Sequence, residues 1–112
     1  MANLLLNSIA WYDLPLANLS VSELGVELVV TPWIESVDAY ARYALRIREA
    51  ESLELDVTGE LSSRDFRDLE VSKFEYTIDS AGRISGTIGI LPGGAGYWGI
   101  SFANAMWSFE AA

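Results

Sequence analysis

Tyr40-Ala41-Arg42-Tyr43-Ala44-Leu45-Arg46-Ile47-Arg48 is the run that decides the fold. Tyr43, Leu45 and Ile47 fall on one side of a two-residue period, and Arg42, Ala44, Arg46 and Arg48 on the other, as in a strand half buried against a core. After a break at Glu49 to Ser52, Leu53, Leu55 and Val57 repeat the alternation against Glu54, Asp56 and Thr58. If these two strands pair as a hairpin, the arginines of one face the carboxylates of the other, worth about 0.2–1 kcal/mol per cross-strand pair.

The same period runs outward along the chain. Phe74, Tyr76 and Ile78 alternate with Lys73, Glu75, Thr77 and Asp79, and after Ser80-Ala81-Gly82 the chain returns through Ile84, Ile88 and Ile90, which reads as a hairpin. Pro92-Gly93-Gly94-Ala95-Gly96 turns it into Tyr97 to Ala103, where Trp98, Ile100 and Phe102 share a face. A last strand, or a continuation past a bulge near Asn104, carries Trp107 and Phe109. Towards the start, Leu4 to Tyr12 and Gly25 to Thr31 read as strands. Between Ala17 and Gly25, Ser20 and Glu23 resemble a capping box and favour a short helical turn, although Leu19 and Val21 alternate. Gly59 to Leu69 reads as an irregular loop. About seven short strands with at most one short helix predict an all-β, mainly antiparallel sandwich, barrel or curved sheet, with residues 1–112 forming a single domain.

Composition excludes more than it selects. A chain that is 51% hydrophobic and 12% aromatic has the material for a packed core despite its net charge of −9. With no His and no Cys, there is no thiolate, no disulfide, no zinc or haem site of the usual type and no Ser-His-Asp triad. Such acidity repels nucleic-acid phosphates and anionic membranes and attracts basic protein surfaces. The start, Met1 to Ser8, lacks a basic n-region, and its apolar run Leu4 to Leu6 is short for a signal sequence, which predicts a cytoplasmic protein. Residues 84–109 are uncharged and long enough to span a bilayer as a helix, but Pro92 and repeated glycines make them read as a hairpin.

Catalysis would have to run on carboxylates, tyrosines, Lys73 or an oxygen-bound metal. No motif organises a glycosidase-like carboxylate pair among the sixteen acids. Asp65, Asp68 and Glu70 are spaced for a hard cation but interleaved with Arg64 and Arg67. Gly93-Gly94-Ala95-Gly96 lacks the Gly-Lys-Ser/Thr ending of a phosphate loop. No catalytic residue, metal or cofactor is therefore expected.

Charge and aromatics are what remain. Residues 49–75 hold nine acids against three bases, −6 of the total −9. Either this is a solubilising face, or Glu49, Glu51, Glu54, Asp56, Asp65, Asp68 and Glu70 form a docking surface that steers a basic protein partner. Tyr97 and Trp98 are consecutive and must face opposite sides of a strand, so burial of one exposes the other beside the glycine loop, where an aromatic rimmed by acids makes an interface anchor. The same holds for Trp11 and Tyr12. Tyr97 and Trp98 therefore join the acids as candidate partner-binding residues.

Two stretches carry a resemblance. Tyr43 to Val57 (YALRIREAESLELDV) and the aromatic ending Tyr97 to Glu110 (YWGISFANAMWSFE) resemble the small β-rich immunity proteins of bacterial polymorphic toxin systems. The resemblance implies a cytoplasmic bacterial protein that occludes a toxin and catalyses nothing. A phage-encoded inhibitor of a host nuclease, such as an anti-CRISPR protein mimicking nucleic acid, would carry the same signature. A structural subunit that self-associates through aromatic edge strands is a third possibility, and the sequence does not decide between monomer and homodimer.

Overall fold

In the computed structural model, residues 2–57, 68–93 and 96–112 are described. The chain enters through a short helix, α1 (Ala2–Ser8), followed by β1 (Leu14–Ser22), β2 (Gly25–Val30), β3 (Trp33–Ile34), a 3-10 turn (Glu35–Val37), β4 (Ala39–Tyr40), β5 (Tyr43–Arg48), β6 (Ser52–Val57), β7 (Glu70–Ile78), β8 (Ile84–Leu91) and β9 (Trp98–Ala111). Every ladder is antiparallel. The all-β expectation holds, and the strand order shows how the sheet is built.

The main sheet runs β5-β2-β1-β7-β8-β9-β6, and a further ladder joins β5 to β9, leaving β6 outside the ring. The ladders therefore close a ring, which satisfies the strand edges that an open sheet would leave bare. Closure depends on β9, which changes neighbours midway: Trp98 to Ala103 pair with β6, and Met106 to Ala111 pair with β5. The switch falls at Asn104, in the left-handed region with φ 53°, where the β8 register also slips. Bulges at such corners let one strand serve two sheet directions. The bulge expected near Asn104 is thus the hinge of the fold.

Three expectations are corrected. The Arg-rich and acidic strands do not form a hairpin. β5 and β6 lie end to end along β9 with one extra residue between them, and Glu49 is the left-handed kink. Arg46 instead faces Glu27 across the β2–β5 ladder, with its Nε 2.7 Å from Glu27 Oε2. Because both side chains are about one-third exposed, that pair adds at most ~1 kcal/mol. The stretch Ala17 to Gly25 is the end of β1, a tight turn at Glu23 and Leu24, and the first residue of β2, not a helical turn. A bulge between Leu16 and Asn18 shifts the phase, so Leu16 and Leu19 both face inward opposite Val30 and Leu28. Ser20 and Glu23, which resemble a capping box, instead lie in β1 and in the turn to β2. Finally, Leu4 to Tyr12 is not a strand: Leu4 to Ser8 belong to α1, and Ile9 to Tyr12 form an irregular connection to β1. Consecutive leucines favour helix, Ser8 Oγ donates back to the Leu5 carbonyl at 2.8 Å, and Leu6 and Ile9 are buried at a spacing of three. The Gly59–Leu69 loop expectation lies mostly outside the described residues.

The core gathers the inner faces of the ring, with Leu28, Leu45, Ile47, Val71, Ile84 and Ile90 completely buried. The β7–β8 hairpin forms as expected. Asp79 Oδ1 accepts the amide hydrogens of Ala81 and Arg83 at 3.0 and 2.9 Å, and Gly82 takes φ 82°. Residues 84–91 and 98–109, within the uncharged stretch, are strand. Among the described residues, no helix is long and apolar enough to cross a membrane.

Helix α1 is tied to β7 by Tyr76, whose hydroxyl donates to Asn7 Oδ1. Burial pushes the Tyr76 phenol above its ordinary value of about 10. The folded chain thus holds this proton more tightly than the unfolded one. The associated stability is complete below about pH 10 and is lost as pH rises through the folded value. Unfolding followed by circular dichroism from pH 8 to 12 is expected to show an alkaline loss that Tyr76→Phe removes. Superimposable profiles for the two proteins would refute this.

Candidate functional site

The outer face of β6, β9, β8 and β7 is built in rows. One row runs Glu54, Ser101, Thr87, Glu75, and the next runs Asp56, Gly99, Gly89, Lys73. The middle positions are small, so they floor a shallow trough about three strand spacings wide, roughly 14 Å. Glu54 and Asp56 stand along one side, Lys73 on the other, and Tyr97 at the end, over Ser101, Thr87 and Gly99.

At Gly89 the absence of a side chain is a packing requirement, whereas at Gly99 a Cβ would approach no atom closer than 4.0 Å. A Cβ at Gly89 would lie 2.1 Å from Tyr97 Oη and 2.6 Å from Ser72 Oγ, so the phenol occupies the space that any side chain at position 89 needs. Ser72 is the extra residue of the β7 bulge between Val71 and Lys73. Its Oγ is buried and has no hydrogen-bond partner among the described residues. Across the floor, the Thr87 and Ser101 hydroxyls meet at 3.3 Å. Lys73 Nζ lies 3.3 Å from Glu75 Oε1, both well exposed, so the trough's cation is partly engaged by its own strand.

The structure sorts the expected residues into groups. Glu54, Asp56 and Tyr97 come together. Tyr97 is 41% exposed and Trp98 is 5% exposed, which is the opposite facing that consecutive strand residues require. Trp98 is therefore a core residue and leaves the candidate surface. Tyr12 and Trp11 divide in the same sense. Glu49 and Glu51 sit at the β5–β6 kink, away from the trough, and Glu49 shares a recess with Arg46 and Arg48 that offsets its charge. Asp68 and Glu70 lie at the start of β7, where Glu70 pairs with Pro15 and Leu91, three strands across the sheet from β6. Asp65 lies outside the described residues. The continuous acidic surface expected over Glu49 to Glu70 is thus dispersed, because neighbours in sequence here are not neighbours in the sheet. Among the described residues no three acids gather as a cation site.

Sequence reasoning missed the trough's floor and its lysine. A signal was present in Gly89, since glycine inside a strand often marks the close approach of another group, here the Tyr97 phenol. It also missed a second exposed patch. On the β3–β4 hairpin, Trp33 and Tyr40 meet edge to face at 5.1 Å, with 47% and 71% of their surfaces exposed.

Fold and site together define the class: a closed antiparallel β domain with one acidic edge strand bordering a small-residue trough. Compared with known protein families, with curated proteins and with solved structures, the chain matches none.

Proposed function

We propose that this chain is a non-enzymatic binding protein whose β6 face docks on and blocks a basic protein partner, as an immunity protein neutralises its cognate bacterial toxin in the cytoplasm. The observation that carries the reading is the side-by-side exposure of Glu54 and Asp56 on one face of β6, with Tyr97 at the end of the same trough. Two carboxylates on one rigid strand face present a fixed pattern of negative charge. A half-exposed aromatic beside them supplies the apolar anchor that charge alone lacks. A partner whose cleft handles nucleic acid would meet these carboxylates where it otherwise meets phosphates, and an inhibitor of a host nuclease would use the same contacts.

The test is the double reversal E54K/D56K, with the wild-type and variant chains each immobilised and exposed to extract of the source cell. A basic protein is expected to be retained by the wild type, to associate more slowly as salt rises, and to bind the variant at least about tenfold more weakly. Because both side chains face solvent, the variant is expected to melt within ~2 °C of the wild type. Equal retention by a folded variant would sink the acidic-face reading.

A further inference from the structure

Strand β6 differs from the strands of the closed ring. It pairs with β9 on one side, no ladder among the described residues occupies its other side, and all six of its residues are exposed. Its two faces are chemically distinct. Leu53, Leu55 and Val57 lie opposite Phe102, Ile100 and Trp98 on β9, all three of which are core residues. The inner apolar layer therefore runs out onto β6, where the leucines and the valine are still 36–50% exposed. Glu54 and Asp56 occupy the outer face, opposite Ser101 and Gly99. An edge of this kind carries a row of unpaired backbone groups flanked by apolar residues on one face and acids on the other.

We propose that β6 accepts an extended segment of the basic partner as an additional strand, with apolar residues beside Leu53, Leu55 and Val57 and Lys or Arg beside Glu54 and Asp56. Charge decides the occupant. In antiparallel self-pairing about Leu55, Glu54 of one copy would face Asp56 of the other, and like charges directly opposite are destabilising. A segment alternating basic and apolar residues satisfies the backbone edge, the apolar row and the carboxylates together, which is recognition by strand addition. The inference rests on the partner being basic, as proposed above. It adds which strand is used, and in what residue pattern.

The test uses the whole chain and two blocked nine-residue peptides, one alternating Arg and Val and one alternating Glu and Val, with amide hydrogen exchange as the readout. The Arg–Val peptide at saturation is expected to slow exchange across Ser52–Val57 by about tenfold or more, and the Glu–Val peptide to leave it unchanged. E54K/D56K is expected to reverse that preference. L53K/L55K, which charges the apolar row without touching the acids, is expected to abolish the protection while the fold persists. Three outcomes overturn the proposal: calorimetric binding of the Arg–Val peptide without protection of β6, no binding at all, or β6 already protected in a dimer of the chain alone. The first leaves acidic docking intact. Unchanged partner retention by E54K/D56K is the separate failure that removes acidic docking itself.

Discussion

Replacing Trp11 by Ala is expected to cost about 3–5 kcal/mol of unfolding free energy. At about 4–6 °C per kcal/mol for a domain of this length, the midpoint should fall by roughly 12–30 °C. Trp11 belongs to no strand, yet it joins the two directions of the sheet. Its ring stands edge-on to Phe74 of β7 at 5.0 Å and tilted against Phe109 at 5.7 Å, and Phe109 lies in the half of β9 that pairs with β5. The side chain is 8% exposed, so truncation removes both aromatic contacts, each worth about 0.5–1.5 kcal/mol beyond area, and leaves a cavity as well. Its Nε1 donates to the Leu6 carbonyl at 3.2 Å, holding the end of α1 against the core. Trp11→Phe keeps most of the packing but drops that bond, and is expected to lose only about 1–2 kcal/mol. The chain has four tryptophans, so urea unfolding is better followed by far-ultraviolet circular dichroism than by fluorescence. A loss under about 1 kcal/mol for Trp11→Ala would mean that the two halves of the ring hold together without it.

Where the two-residue period runs unbroken, the strands were legible from sequence. That is true of β5, of most of the β7–β8 hairpin, and of β9 as far as Phe102. Each place where the period fails is a bulge or a junction. Leu16 and Leu19, Val71 and Phe74, and Phe102 and Ala105 are inward-facing pairs three apart that flank register slips. A spacing of three is also the mark of a helix, so such pairs blur the strand signal, and the helical turn expected at Ala17 to Gly25 rests on Ser20 and Glu23, which lie in β1 and in the turn that follows it. Pairing was harder to read than strand identity. Arg46 and the acids of β6 are close in sequence and opposite in charge, yet the energy of such a pair is small beside the burial gained when β5 lies between β2 and β9. The candidate site follows the same division. Tyr97, Glu54 and Asp56 were accessible through alternation and charge. The opposition of Lys73 and the floor of Gly89 and Gly99 arise from ladders between strands far apart in the chain, which no local pattern encodes.

Gly25→Ala should be nearly as damaging as Trp11→Ala, for a reason that lies in the backbone. Gly25 begins β2 with φ 130°, a conformation that costs an L-residue about 1–3 kcal/mol. Its place in the ring makes this worse, since a Cβ there would sit 2.0 Å from the Ile47 carbonyl oxygen and 3.1 Å from Arg48 Cα. Those are main-chain atoms of β5, bound to β2 on one side and β9 on the other, so they cannot swing aside as a side-chain tip would. Relief requires opening the Gly25–Arg48 end of the β2–β5 ladder, and the combined loss is expected at about 3 kcal/mol or more. Gly82 supplies the control. It also has positive φ, at 82°, but a Cβ there meets nothing within 4 Å, so Gly82→Ala is expected to cost only about 1 kcal/mol of backbone strain. Both variants, compared by denaturant midpoint, separate the steric term from the conformational one. Equal losses would mean that β5 yields freely at Ile47, and the closed ring would then be a looser constraint than its ladders imply.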